Sequence, residues 1–336
     1  MPKFAVAISG LDRPIACPDD KSVLDACIEA GVAMPYNCRS GECGECIATL
    51  TDGSIEEMPG ADPAVFTDAE RRQGRILTCM CFPRSDISLE IALRDGIQAP
   101  AIQHVNAVVE DILWHGPHIA EVAVATPGAL DYRPGQYFEW VLPGIEPNRC
   151  FSVANRPGED VVRFHVRIYP QGKVGEFVRE SMHQGAVLGL IGPYGHFGFT
   201  DNDHRPAICV AGGTGMAPIQ AALDATFAKG NKRPIHYFYG ARTRADLYCM
   251  EKMATWAAAH SSFTFTPVLS EEPAGSDWTG ERGLVTETLQ TAMPDAFGAE
   301  AYLCGPPAMI DAALEILFAA GLAEEDAYFD KFTPTK

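Results

Sequence analysis

Apolar positions along this chain fall into three successive patterns. Phe4 to Ile8 alternates larger and smaller apolar residues and reads as a strand. Ser22 to Ala30 has helical spacing: Ser22 can cap it, Val23, Leu24, Ala26, Cys27 and Ile28 form the inner face, and Gly31 stands where such helices stop. Ile76 to Leu77 and Ile87 to Leu93 read as further strands. From residue 98 onward the pattern changes to short β-rich runs separated by Pro and Gly turns: Ala107 to Val109, Ile119 to Ala125, Gln136 to Val141 and Val161 to Ile168. Regularly spaced short strands predict an antiparallel barrel or sandwich. From residue 204, strands alternate with helices. Ala207 to Ala211, Ile235 to Tyr239, Phe263 to Val268 and Ala301 to Cys304 are strands, and Ile219 to Phe227 is the first of the helices between them. That alternation predicts a doubly wound parallel sheet. The expected division is therefore 1–97, 98–203 and 204–336, a multidomain α+β and α/β chain.

Composition narrows the function. Hydrophobic residues make up 47% of the 336 positions, enough for real cores. No apolar run nears the roughly 20 residues of a membrane helix. Residues 1–10 lack the basic and then apolar pattern of a secretory signal, so the expected location is cytoplasmic, with no membrane partner. The net charge is -18, from 44 acidic and 26 basic residues, which argues against nucleic acid as a partner. The excess acid serves solubility, or forms a face that steers a basic protein partner.

Cysteine changes the picture most. There are eleven, an odd number, and a disulfide framework does not suit a cytosolic chain. Cys38, Cys43 and Cys46 lie within nine residues, with C-x4-C-x2-C spacing, and Cys79 and Cys81 follow later. This is the plant-type [2Fe-2S] spacing. Soft thiolates must surround two irons closely, so the chain must loop tightly over the cluster, and Gly41 and Gly44 permit that loop. A structural zinc site is the alternative, but such sites commonly use two separated C-x2-C pairs. Cys17, Cys27, Cys150, Cys209 and Cys249 read as small buried hydrophobes.

Two further motifs end strands. Ala207 to Ala211 runs into Gly212-Gly213-Thr214-Gly215-Met216-Ala217-Pro218. Pro218 stands where the third glycine of G-x-G-x-x-G would be, so the general fingerprint is not met. Yet the turn lies between strand and helix, where glycines let backbone approach a pyrophosphate, and Pro218 suits an early helical position. Cys304-Gly305-Pro306-Pro307 ends a later strand.

Pro35-Tyr36-Asn37-Cys38 through Cys46 resembles a plant-type ferredoxin, and Leu77-Thr78-Cys79 resembles the segment carrying its fourth ligand. The remainder is similar to the ferredoxin–NADP reductase superfamily. Together they resemble the reductase components of bacterial multicomponent oxygenases. The resemblance covers nearly the whole chain, with several motifs in a fixed order. It implies a β-grasp ferredoxin with Cys38, Cys43, Cys46 and Cys79 on the cluster, a flavin-binding barrel, and a nicotinamide-binding α/β domain.

Several site residues follow from the resemblance alone. Arg149-Cys150-Phe151-Ser152 is similar to the family's Arg-x-Tyr-Ser. It implies Arg149 on the FAD pyrophosphate, Phe151 against the ring and Ser152 near flavin N5. Phe151 replaces the usual Tyr, so one hydroxyl contact is lost. His165-Val-Arg167-Ile168 and the turn to Lys173-Val174-Gly175 occupy the place of the second flavin segment, whose amides cradle pyrophosphate; Gly175 stands where Ser or Thr is common. Gly192-Pro193-Tyr194-Gly195 resembles a structural turn closing the barrel. Phe332, after Asp330-Lys331, corresponds to a terminal aromatic that covers the flavin. Gly212, Gly213, Thr214, Gly215 and Met216 would hold the dinucleotide. Cys304, Gly305 and Pro306 would lie beside the nicotinamide, with Cys304 packing near the hydride-donating carbon rather than acting as a nucleophile. Arg242 and Arg244 allow NADPH and Asp246 allows NADH. The family mostly uses NADH.

The implied activity is NAD(P)H-dependent electron transfer through FAD and [2Fe-2S] to a separate oxygenase or an intermediate ferredoxin. The oxygenase could be a diiron monooxygenase, a Rieske dioxygenase or a cytochrome P450, in aromatic or hydrocarbon oxidation, and the reductase itself is expected to be a monomer. A deoxysugar-biosynthesis reductase with the same cofactors, and a non-catalytic redox sensor or carrier, are the alternatives.

Overall fold

The computed structural model describes residues 2–93 and 101–333, and these divide into two compact units. The expected boundary at 97/98 lies outside the described residues.

The first unit comprises residues up to 102, together with Tyr194–His196. Its sheet runs β2 (Ile15–Pro18), β1 (Lys3–Ile8), β7 (Ile87–Glu90), β3 (Ile47–Asp52), β5 (Arg75–Leu77). The β1–β7 pair is parallel and the other pairs are antiparallel. A separate hairpin joins β4 (Ile55–Glu57) to β6 (Cys81–Pro83). Helix α1 (Val23–Glu29) buries Val23, Leu24, Ala26 and Cys27, and the Ser22 hydroxyl accepts the Asp25 amide at 3.0 Å. Short α2 (Asp68–Arg72) carries a capping box between Thr67 and Glu70. Strand β7 is shorter than the apolar run to Leu93 predicts. Its parallel partner stops at Ile8, opposite Leu89, and its antiparallel pairing with β3 ends one residue later, at Glu90.

The second unit joins residues 103–193 to 197–336. The strands here are β8 (Gln103–His115), β9 (Ile119–Ala125), β10 (Tyr137–Leu142), β11 (Ile145–Ser152), β12 (Val161–Arg167) and β13 (Val187–Tyr194), in the order β11-β10-β13-β8-β9-β12. A bridge from Val153 to Phe164 brings the two edges together and closes the barrel. Inward residues Val109, Val122, Phe138, Trp140, Phe164 and Leu190 fill it. Strand β8 far exceeds the predicted Ala107–Val109. A register shift between Val109 and Asp111 re-aims it, so one strand serves both β13 and β9. Helix α3 (Lys173–Glu180) follows β12.

The remaining elements are β14 (Ala207–Gly212), α4 (Met216–Ala228), β15 (Ile235–Ala241), α5 (Met250–Ala259), β16 (Phe263–Leu269), β17 (Glu281–Arg282), α6 (Val285–Ala292), β18 (Glu300–Gly305), α7 (Pro307–Ala319) and β19 (Ala327–Lys331). The parallel sheet is ordered β17-β16-β15-β14-β18-β19. Along β14, Ala207, Cys209 and Ala211 enter one core with α4, while Ile208 and Val210 enter the other with α6 and α7. A strand buried on both faces must be apolar throughout, as β14 is. Neighbours leave β14 in opposite directions, to β15 and to β18, so the switch point lies at the carboxyl end of β14. Tyr328 and Phe329 lie in β19, paired with Tyr302 and Leu303. Among the described residues no helix is long and apolar enough to cross a membrane.

Candidate functional site

In the first unit, the loop between α1 and β3 carries Cys38, Cys43 and Cys46, and the turn after β5 supplies Cys79. Cys46 Sγ lies 3.3 Å from Cys79 Sγ. The amides of Ser40 and Glu42 each donate to Cys38 Sγ at 3.4 Å. A hydrogen bond from Cys43, with those amides, holds the Cys38 thiol below the ordinary cysteine range. Gly44 has φ +77°, and a Cβ there would stand 2.8 Å from Val65 Cγ1, so the loop requires glycine. Cys81 is fully buried in β6, where burial pushes its thiol up to about 12.

On the barrel, β11 presents Arg149 and Phe151 on one face and Cys150 and Ser152 on the other. The Phe151 ring packs 4.4 Å from Trp140. Ser152 is buried, and the Arg149 guanidinium donates to the Pro147 carbonyl. Cys150, expected to be buried, is exposed: it pairs with Glu139 on the face of β11 turned away from the barrel core. Lys173 is exposed at the first turn of α3. Val174 and Gly175 are buried behind it, and a Cβ on Gly175 would touch Ile168 Cγ2 at 3.1 Å. Gly192 packs under the Phe138 ring.

At the switch point, Gly213–Gly215 forms a single tight turn before α4. A Cβ on Gly215 would stand 2.1 Å from the Cys304 carbonyl oxygen. Gly213 has φ +56° and nothing within 4 Å of that position. The turn is therefore pressed against β18 on one side and open on the other. The hydroxyls of Tyr239 and Tyr248 donate to the Gly213 carbonyl at 3.0 and 3.3 Å. Cys304 is fully buried; burial, then the Asp330 charge, pushes its thiol far above the ordinary value, so it stays protonated. The Phe332 amide donates to the Gly305 carbonyl at 2.8 Å, which brings Phe332 beside the Cys304-Gly305-Pro306 turn.

After β15, Arg242 is exposed and 3.8 Å from Asp246. Asp246 caps Thr243 and also lies 3.5 Å from Arg167. Arg244 is held by Glu272 at 3.0 Å and by Asp277. His165 does not face the turn before α3. Its ring is fully buried, 3.0 Å from the Tyr248 hydroxyl through Nδ1.

Three family models match the chain in order: a 2Fe-2S iron-sulfur cluster binding domain over 6–84, an oxidoreductase FAD-binding domain over 109–199 and an oxidoreductase NAD-binding domain over 209–315. The phenol hydroxylase P5 protein of Acinetobacter pittii is 32% identical over 98% of this chain and 94% of its own length. The chain belongs to the reductase components of bacterial multicomponent oxygenases. The propane 2-monooxygenase reductase component of Mycolicibacterium goodii is 33% identical over 94% of this chain and 93% of its own. A cytochrome P450 reductase from Amycolatopsis superposes with a TM-score of 0.88 at 30% identity, covering 98% of this chain and 99% of that one.

As an oxygenase reductase component the protein is an NAD(P)H-dependent oxidoreductase with FAD and [2Fe-2S] as cofactors. The residues present fit all three groups. Four thiols converge with backbone amides aimed at one of them, an arginine and an aromatic share one face of β11, and the open side of Gly213 leaves room for a phosphate.

Sequence reasoning missed the acid–imidazole cluster behind the nucleotide turn. Glu121 Oε2 is 3.3 Å from His115 Nε2 and 3.5 Å from His165 Nε2, while Arg163 donates to Oε1 at 2.9 Å. Burial opposes the Glu121 charge. The two imidazoles and Arg163 outweigh burial and hold the carboxyl well below its usual range. Glu272 and Asp277 were missed as well. Their one signal is an acidic loop following β16.

Proposed function

We propose that NADH is the electron donor and that the chain's own residues divide the work among three domains, 1–97, 98–203 and 204–336. Cys38, Cys43, Cys46 and Cys79 hold the cluster. Arg149 binds the flavin pyrophosphate with Lys173, Val174 and Gly175 at the start of α3; Phe151 and Phe332 pack on the ring, and Ser152 hydrogen-bonds near its reacting edge. His165 and Arg167 serve from β12, indirectly, by bracing the nucleotide side through Tyr248 and Asp246. Gly212 to Met216 receive the dinucleotide pyrophosphate, and Cys304, Gly305 and Pro306 pack against the nicotinamide. The Cys304 thiol, held protonated by burial, is a packing surface rather than a nucleophile. Held by these residues, the flavin would supply the exchange between a two-electron hydride donor and the one-electron cluster.

The observation that carries the choice of NADH is the state of Arg244. A ribose 2′-phosphate needs a cation beyond the second strand of the sheet. Glu272 and Asp277 occupy this guanidinium, and Asp246 stands beside Arg242. An acidic surround suits a 2′-hydroxyl and repels a phosphate.

The acceptor is a hydroxylase component acting on aromatic or small hydrocarbon substrates, in line with the phenol and propane systems of the relatives. Anaerobic titration with NADH and with NADPH, followed by visible absorption and EPR, tests the donor and the electron path. Flavin bleaching with a reduced-cluster signal at lower NADH than NADPH is expected. Equal titration by NADPH would defeat the donor assignment. Reconstituted phenol or alkane hydroxylation with candidate hydroxylases tests the acceptor, and failure with all of them while cytochrome c reduction persists would defeat it.

A further inference from the structure

The cluster around Glu121 is drawn from four separate parts of the second unit. His115 ends β8, Glu121 lies early in β9, and the hairpin between them folds one onto the other. His165 sits on β12 directly opposite Glu121. Cys249 comes from the residue before α5, with φ +58°. The ligating atoms of His115, Glu121 and Cys249 all lie within 4.8 Å of one another.

A second observation is independent of that clustering. The His165 side chain is fully buried, yet its Nε2 has no hydrogen-bond partner. Its nearest polar neighbour in the cluster is Glu121 Oε2 at 3.5 Å. Burying a polar nitrogen without a partner is costly, so such an atom marks a place where something is meant to bind. Arg163 engages Oε1 of the carboxylate, which leaves Oε2 facing both imidazoles.

We propose that His115, Glu121 and Cys249 form a transition-metal site, suited to Zn²⁺, at the seam between the barrel and the nucleotide-binding sheet. One imidazole, one carboxylate and one thiolate are a borderline-soft set that zinc takes with a solvent molecule in the fourth tetrahedral position. Zinc–ligand bonds of about 2.0–2.3 Å put tetrahedral donors about 3.3–3.8 Å apart. The 3.3 Å between His115 Nε2 and Glu121 Oε2 falls in that range, and the three donors lie within 4.8 Å of one another. Binding exchanges a proton for metal: the Cys249 thiol proton goes to solvent as the Zn–S bond forms, while the His115 imidazole and the Glu121 carboxylate bind through lone pairs, with no change of oxidation state.

The position gives the site a consequence for the nucleotide turn. The solvent molecule in the fourth position gives the buried His165 Nε2 a donor, so the ring carries its proton on Nδ1, which then donates to the Tyr248 oxygen. Tyr248 is left to donate to the Gly213 carbonyl. Metal occupancy therefore fixes the direction of the hydrogen bonds that hold the glycine turn.

The test uses the holoenzyme, with FAD and two irons per chain verified, after chelator dialysis. Equilibrium dialysis against micromolar Zn²⁺, with metal content read by mass spectrometry, is expected to give one zinc per chain. Zinc K-edge fine structure should show one sulfur and the rest nitrogen or oxygen. Cys249→Ser and His115→Asn should each weaken zinc binding at least tenfold with FAD and iron content unchanged. No retained zinc, a four-sulfur shell (zinc in the cluster loop), or equal binding by wild type and both variants would overturn the proposal. The wild-type sulfur count decides the matter even if a variant folds poorly.

Discussion

Substituting Gly215 by alanine adds a single methyl group at the tightest point of the nucleotide turn. That carbon would stand 2.1 Å from the Cys304 carbonyl oxygen and 2.6 Å from its carbon, where ordinary contact begins at 3.4 Å. The obstacle is backbone, and it cannot yield easily. Strand β18 is paired on one side to β14 and on the other to β19. The turn itself must retreat, by about 1 Å or more. Misplacing a reacting group by about 1 Å can cost roughly 100-fold in rate. We therefore expect Gly215→Ala to lower kcat/KM for NADH about 100-fold with ferricyanide as acceptor, which draws electrons from the flavin directly. Dithionite should still reduce the flavin and the cluster fully, because chemical reduction does not need the nucleotide turn. A variant within threefold of wild type would refute the reasoning, since a displaced turn cannot present the nicotinamide correctly.

Other expectations follow from the same geometry. Cys43→Ser should abolish cytochrome c reduction yet leave NADH–ferricyanide activity; loss of both in a flavin-loaded protein would contradict that division of labour. Glu272→Gln combined with Asp277→Asn frees Arg244 for a charge-assisted bond to a 2′-phosphate, and a gain of roughly tenfold in kcat/KM for NADPH is expected, checked by steady-state kinetics with both nucleotides. Arg233 is 1% exposed and pairs with Glu300, which also accepts from Thr200 and Tyr302 at 2.9 Å. Arg233→Met leaves that carboxylate short of its main cation and should cost about 3–5 kcal/mol, read as a lower urea midpoint for the second unit; a change under about 1 kcal/mol would show that Arg205, 3.5 Å away, suffices.

The periodic elements were legible because their signals are local. Ile119–Ala125 is apolar at every position but Glu121 and emerged with the bounds the pattern predicts. The cysteine loop and the glycine turn were legible because tight backbone curvature and soft ligands demand particular residues at fixed spacing. What stayed hidden was non-local. Strand β8 is masked by Glu110 and Asp111, acids tolerated where the register shifts. Strand β19 is five residues long, and its parallel pairing to β18 decides it rather than any alternation of its own. The Glu121 cluster has no motif, because its members meet only when a hairpin, a third strand and a loop from the other sheet are folded together. Asp246 was legible as an acid near the ribose position, yet its work as a cap for Thr243 and a partner of Arg167 shows only in the fold.

The seam inside the second unit bears on how such a protein can be recombined. Ile119 and Phe197 of the barrel enter the core of the parallel sheet, the Gln220 amide donates to the Ala154 carbonyl at 2.8 Å, and Thr200 reaches Glu300. A cut near residue 203 would strip buried apolar surface and polar partners from both pieces at once. A chimera that exchanged only the nucleotide-binding half should express as aggregate. Trading the barrel and the sheet together, as a single cassette, keeps every one of those pairs and should give a folded graft.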